Sequence, residues 1–165
     1  MIKLGENVRI FQPVVMLDED KQFIIGNNCL IGQFAFVAPR KLVMHDGSQI
    51  SPHAILCGGG EIELRKNSVV GFGSVLIPAT DTTEAEYMNE AAPPDKRNII
   101  RGKIVLGDGA YIGSHVVICV SRKNPEIYIG DHSVIGSFSY IDKSIEAYMI
   151  VHPKQELIFK TRMIK

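Results

Sequence analysis

The sequence carries no surplus of charge: 18 lysines and arginines stand against 18 aspartates and glutamates among 165 residues. A protein that tracks nucleic acid neutralises phosphates with a basic face, so this balance argues against a nucleic-acid partner. There is no apolar run of the length needed for a membrane span and no charged-then-apolar leader. The expectation is a soluble, cytoplasmic protein without a membrane span. Cysteine is scarce too: Cys29, Cys57 and Cys119 cannot all pair and lack the close spacing of a metal site, which leaves buried, reduced thiols and no metal centre. A plain helical period, with apolar residues every three or four, is also missing from stretches such as A-Y-I-G-S-H-V-V-I at 110 to 118.

What is present is a count in sixes. Leu4, Ile10 and Met16 form one triplet; Ile25, Ile31 and Val37 a second; Val43, Ile50 and Leu56 a third, with one step of seven. Leu64, Val70 and Leu76 follow, then Leu106, Ile112 and Ile118, then Ile129, Ile135 and Ile141. Glycine stands one place after many of them, at Gly5, Gly26, Gly32, Gly71, Gly107, Gly113, Gly130 and Gly136. Six is a multiple of two, so each unit can be a short strand that keeps its alternation until a corner turns the chain. The position two before the repeat aliphatic should then face inward as well. In the second and third units it is small, for example Cys29, Ala35, Ser48, Ala54, Ser74 and Ala110. The first units break this rule with Ile2, Phe23, Lys41, Ile62, Ile104 and Ile127, which predicts a different entry geometry for each triplet. Corners need unusual backbone angles, and Asn27, Asn28, Asn67, Asp108 and Asp131 fall near them.

Three strands and three corners make one triangular coil, and six coils at a strand spacing of ~4.8 Å make a prism on the order of 30 Å tall. The expected fold is all-β, a parallel solenoid over residues 1–150, followed by a terminal cap or tail over 151–165. Between coils the steps are 9, 6, 8, 30 and 11, so the irregularity gathers at one corner and should emerge along one edge of the prism. Solenoids confine insertions to one face when that face is the working one. The longest insertion, 77–105, carries Pro78, Pro93, Pro94 and an acidic stretch from Asp81 to Glu90, which predicts an extended protruding loop rather than a further coil.

The hexads L-G-D-G-A-Y-I-G-S-H-V-V-I and I-G-D-H-S-V-I-G-S resemble those of the hexapeptide-repeat acyltransferases over nearly the whole chain. G-F-G-S-V-L-I-P-A-T-D, followed by E-Y-M and P-P-D-K-R-N-I, is similar to the coil, loop and return of galactoside acetyltransferase-like and nucleotide amino-sugar acyltransferases. The resemblance implies a left-handed β-helix of about six coils and a homotrimer with acetyl-CoA in the groove between neighbouring prisms. It further implies acyl transfer to an amine or hydroxyl of a sugar or nucleotide-linked sugar, in cell-surface polysaccharide biosynthesis.

That chemistry asks for a base near the acceptor and for donors to the oxyanion. Where O-acetyl relatives place a histidine, five residues after the repeat aliphatic, this chain has Asp81, a departure that inclines the reading towards an amine acceptor. His53 and His115 each lie three places after a repeat aliphatic and share a column with Gly73 and Phe138, at another corner than the insertions; either could serve a neighbouring subunit's loop as base. His45 and His132 read as structural. Gly113 and Ser137 lie in the coils beside which relatives hold the coenzyme, and Lys154, with Arg122, Lys123 and Lys160, could meet its phosphates. In V-H-P-K, around His152, the glycine and alanine of the relatives' G-x-P-A-K are absent. Gly58, Gly59 and Gly60 predict a close approach of backbone to the stacked loop or to an acceptor. Two rivals are a noncatalytic β-helix scaffold and a zinc-dependent carbonic anhydrase; in the latter, histidines two coils apart, about 10 Å by strand spacing, could not share a metal within one subunit.

Overall fold

A computed structural model describes residues 1–17 and 19–154. Almost every regular element is a short strand, and each strand of the coils pairs in parallel with the strands one coil away. The first face stacks Ile2–Leu4, Gln22–Ile25, the second half of Phe36–Met44, the second half of Ile55–Leu64, Lys103–Leu106 and Glu126–Ile129. The second face is a ladder of two-residue strands running from Arg9–Ile10 to Ile150–Val151. The third face stacks Val15–Met16 and then Val37, Leu56, Leu76, Ile118 and Ile141 in register. Six complete coils result. A partial seventh follows, in which Ile145 bridges Ile129, and Ile150 and Val151 pair with Val134 and Ile135. Of the tail expected to cap the prism, residues 155–165, Lys160 included, lie outside the described residues.

The third triplet needs a correction. The residue in register with Ile25 and Leu64 is Met44, which is buried, whereas Val43 is half-buried and pairs with Ile24 and Glu63 on the outward side. Shifting by one restores Met44, Ile50 and Leu56 at steps of six and replaces the anomalous Lys41 by the buried Leu42. A one-residue slip in a strand exchanges its two faces, so the correction is one of side as well as of number.

Large aliphatics fill the axis at the repeat positions, and the small residues two places before them let the narrow second and third faces close. The bulky exceptions Phe23, Ile62, Ile104 and Ile127 sit on the first face, whose strands after Ile2–Leu4 run four residues or more. Both inward positions there lie away from a corner, where there is room. Serines are tolerated inside because their hydroxyls answer turn backbone: Ser74 Oγ donates to the Gly113 carbonyl at 2.7 Å and accepts the Val116 N–H, and Ser133 Oγ donates to the Glu146 carbonyl.

The corners differ in chemistry. At the first, Asn7, Asn28, Asn67, His132 and Tyr148 take positive φ, and Asx oxygens accept N–H groups of the preceding coil, as Asp46 does from Asn27 and Asp131 from Asp108. At the second, the left-handed residues are Phe34, His53, Gly73, His115 and Phe138. The third corner has no such column; it is where Phe36–Met44 and Ile55–Leu64 run straight through and where the insertions leave.

Candidate active site

The third edge is built around Gly58, Gly59 and Gly60. A Cβ on Gly60 would collide with the carbonyl oxygens of Pro78 and Gly102, the two ends of the long insertion, so only glycine lets the arm close onto the prism here. The arm begins as an antiparallel pair, Ala79–Asp81 with Ile99–Arg101. Beyond this neck it holds a short 3-10 turn, Pro94–Lys96, and is otherwise irregular, as an extended arm rather than a coil. Lys96 pairs with Glu86 at 2.7 Å within the arm, and Arg122, from the insertion after the fifth coil, pairs with Glu84 across the gap.

Three clefts line this edge. The first, about 460 Å³, lies between the neck and the early coils, with Leu17, Phe36, Ala38, Lys21 and Arg40 on its walls. The second, about 270 Å³, lies under the neck and holds Asp81, Asn89 and Arg97; Gly58, Gly59, Glu90 and Arg101 are common to both. The third, about 310 Å³, faces the late coils and is lined by Asp81, Thr82, Ile100, Cys119 and Tyr140.

Asp81 therefore stands between two clefts, but its carboxylate is already engaged. Arg97 Nε donates to Oδ1 at 3.1 Å and Nη2 to Oδ2 at 2.8 Å, with the two side chains 14% and 15% exposed. This two-pronged hydrogen bond holds the Asp81 carboxyl below the usual carboxylate range, with the Arg101 charge adding to it, which makes Asp81 a weaker base than a free aspartate. Beside it, the Thr82 N–H reaches the Asn98 carbonyl, but its hydroxyl, in a residue only 9% exposed, has no hydrogen-bond partner among the described residues. Cys57 and Cys119 are half-buried at this edge, not fully buried as expected; only Cys29 is enclosed. Burial pushes both edge thiols up, so they are poor nucleophiles.

His53 and His115 do share one exposed column, at the second corner, away from Asp81 by the width of the third face. His53 stacks on Phe34 at 5.0 Å and His115 on Phe138 at 5.4 Å, while Gly73 leaves room for the His115 ring, whose Cε1 stands 2.6 Å from where a Cβ would be. Neither imidazole has a hydrogen-bond partner among the described residues. Of the other histidines, His45 pairs with Glu63 at 3.4 Å and His132 stacks on Tyr148. Gly113 is buried and a Cβ there would meet the Ser137 nitrogen at 2.7 Å, so stacking of the sixth coil accounts for it. Ser137 is exposed and its Oγ accepts the Ser114 N–H; Lys154 is exposed. No group of three metal-binding side chains forms among the described residues, and no helix there is long and apolar enough to cross a membrane.

Arg97 and Arg101 are the cleft-lining side chains beside Asp81 that sequence reasoning did not single out. Their only signal is a pair of arginines, Arg97 just before the return strand and Arg101 at its end, in a loop whose outgoing strand carries Asp81, and their approach to Asp81 becomes visible only once the neck is zipped.

No established family profile matches the chain. It is 26% identical over 163 residues to the bifunctional protein GlmU of Pseudoalteromonas atlantica, an alignment covering 87% of this chain and 33% of the relative. The chain thus spans about a third of the length of that relative. It is 24% identical over 140 residues to WcaF of Escherichia coli K12, a putative colanic acid biosynthesis acetyltransferase, covering 84% of this chain and 69% of WcaF. Among solved structures it matches AntD, an N-acyltransferase from Bacillus cereus in complex with dTDP and 3-hydroxybutyryl-CoA, with a TM-score of 0.79 and 25% identity over 88% of this chain and 75% of AntD. The fold is accordingly the left-handed β-helix of the hexapeptide-repeat acyltransferases.

Proposed function

We propose that this chain, a hexapeptide-repeat β-helix protein, is an acyltransferase that moves an acetyl or related acyl group from its coenzyme A thioester to a sugar, in the assembly of cell-surface polysaccharide. The acceptor is an amine on a nucleotide-linked sugar in preference to a hydroxyl. One observation carries the reading: the chain shares nearly its whole length with an N-acyltransferase that binds dTDP and an acyl-CoA, and its one long arm overhangs clefts at the edge where every large insertion gathers.

In the reaction the amine nitrogen attacks the thioester carbonyl carbon, the C–S bond breaks, and coenzyme A leaves as the thiolate. The nitrogen sheds a proton to a base, and the thiolate takes one up. Asp81 is ill suited to be that base, because its lone pairs and its charge are committed to Arg97. We assign it to holding the neck and bounding the acceptor cleft. The base is a histidine of the second corner, His53 or His115, delivered by a neighbouring copy in a cytoplasmic homotrimer. Two features support this: both rings are held by stacking, with no hydrogen bond to their nitrogens among the described residues, and both residues occupy the left-handed region, where a bulky residue costs on the order of 1 kcal/mol and persists only when its surroundings impose it. Ser137 and Lys154 are assigned to coenzyme A on the outer wall of the late coils, and Gly113 to letting those coils stack closely beside it.

Thiol release from acetyl-CoA, measured with a panel of nucleotide-linked amino sugars, tests the reading. The histidine that acts as base should lose about 10²–10⁴-fold in kcat on substitution by alanine, with coenzyme A affinity unchanged. Unaltered rates in His53→Ala, His115→Ala and Asp81→Asn would remove these assignments. Absence of coenzyme A binding at millimolar concentration would turn the reading towards a noncatalytic scaffold.

A further inference from the structure

We propose that Thr82 donates a hydrogen bond to the thioester carbonyl oxygen as it becomes an oxyanion, in the cleft between the neck and the late coils. This rests on the acyltransferase reading and adds to it a catalytic residue and the place where donor and acceptor meet.

Thr82 is only 9% exposed, and its hydroxyl is the one buried side-chain polar group among the described residues without a hydrogen-bond partner. Enclosed hydroxyls are nearly always paired, because leaving water without a partner forfeits their hydrogen bonds, so an unpaired one calls for a reason. The residue is held in place on both sides: it follows the neck strand Ala79–Asp81, and its own N–H donates to the Asn98 carbonyl at 2.8 Å. A donor that is fixed and unspent suits a developing oxyanion, since nothing has to reorganise when the charge appears.

The charges around it agree. An unpaired carboxylate beside an oxyanion would oppose it, and the two carboxylates that line this cleft, Asp81 and Glu84, are both paired, with Arg97 and Arg122. The ion pair that spoils Asp81 as a base thus makes it a tolerable neighbour for negative charge. Ile100, Cys119 and Val120 add an apolar stretch of wall for the acyl carbons and the thioester sulfur.

Asp81 lines both this cleft and the one under the neck. An acceptor amine entering under the neck and a thioester arriving from the late coils therefore meet at residues 81 and 82. As the nitrogen bonds to the carbonyl carbon, the carbonyl oxygen gains the negative charge and the hydrogen bond from Thr82 Oγ1, which keeps its proton. The C=O double bond reforms as the C–S bond breaks and the thiolate leaves, and the nitrogen's proton goes to the base. Because the hydroxyl is enclosed, the cleft has to widen to admit the thioester. Its two walls, the arm and the insertion after the fifth coil, are joined by Glu84 and Arg122, both more than half exposed, and a pair so exposed parts at little cost.

The test compares wild type, Thr82→Val and Thr82→Ser in transfer from acetyl-CoA to whichever nucleotide-linked amino sugar the wild type turns over fastest, at steady state and in single turnover. Thr82→Val should lower kcat and the single-turnover rate about 10²-fold, with both KM values within about threefold of wild type, while its melting temperature rises. Thr82→Ser, which keeps the donor, should retain kcat within about tenfold. A gain in stability joined to a loss of turnover is not what a merely structural hydroxyl gives; Thr82→Ala takes the place of Thr82→Val if the latter does not fold. A kcat within about threefold of wild type in Thr82→Val overturns the proposal and leaves the hydroxyl to a buried water. A higher acceptor KM at unchanged kcat overturns it too and gives the hydroxyl to the acceptor. Either result leaves the acyltransferase reading standing, whereas a wild type that neither binds acyl-CoA nor transfers an acyl group ends both.

Discussion

Thr82 is the residue whose surroundings ask most of a ligand. Its hydroxyl is enclosed beside Asp81 in the cleft facing the late coils and finds no hydrogen-bond partner among the described residues. A buried hydroxyl without a partner costs about 1–3 kcal/mol. Thr82→Val, which keeps the shape and removes the group, should therefore raise the stability of the ligand-free protein by about 1 kcal/mol in a denaturant titration. A loss instead would mean that the hydroxyl is satisfied. Met44 and Val43 test the register in the same terms. Met44→Ala removes an axis side chain and should cost about 2–5 kcal/mol, whereas Val43→Ala, on the outward side, should cost less than about 1 kcal/mol. Equal costs would contradict the stacking of Met44 on Ile25 and Leu64. From sequence, Val43 and Met44 are indistinguishable, because both are apolar and adjacent; only pairing with neighbouring coils decides which faces in.

At the scale of elements, the arm is distinct from the coils in what holds it. A coil amide such as that of Val117, bonded to the Ser139 carbonyl, belongs to a ladder that opens only with its neighbours, whereas the neck is three residues against three, with the Asp81–Arg97 pair at its outer end. Arg97→Met should lower hydrogen-exchange protection of the Thr82 amide, which reaches the Asn98 carbonyl at 2.8 Å, and leave that of Val117 unchanged. Equal protection at Thr82 in variant and wild type would show that the neck stands without the ion pair. The existence of the arm was legible in the step of 30 between repeat aliphatics and in its prolines; its zipped neck was not, since Ala79-Thr80-Asp81 and Ile99-Ile100-Arg101 are too short to announce a pairing.

For the whole molecule, three carboxylates set the acid limit. Arg97 holds Asp81 low, and the Tyr128 hydroxyl with the Asp108 N–H does the same for Asp131. At Glu63, burial pushes upward, but the hydrogen bond from Lys103 and the charges of Lys103, Arg65 and His45 outweigh it and leave the carboxyl low. In each case the folded value lies below the unfolded one of about 4, so between the two the unfolded chain binds more protons. The stability these groups contribute is fully present above the unfolded value and is lost as pH falls through the folded values. The melting temperature should thus fall steeply below about pH 4. Equal melting temperatures at pH 6 and pH 3 would exclude a role for these carboxylates.

The count in sixes, by itself, determined that the chain is a triangular parallel solenoid with its insertions on one edge, because a strand's side-chain period and a corner's demand for small or left-handed residues are both local and leave marks at fixed spacing. Where the chemistry sits was decided only by tertiary structure. Asp81 meets Arg97 sixteen residues away, Arg101 crosses Gly59 from forty-two residues on, and the histidine column lines up over whole coils. Such meetings depend on which coil stacks on which and on where an irregular arm folds back, and neither is encoded in any short stretch of residues.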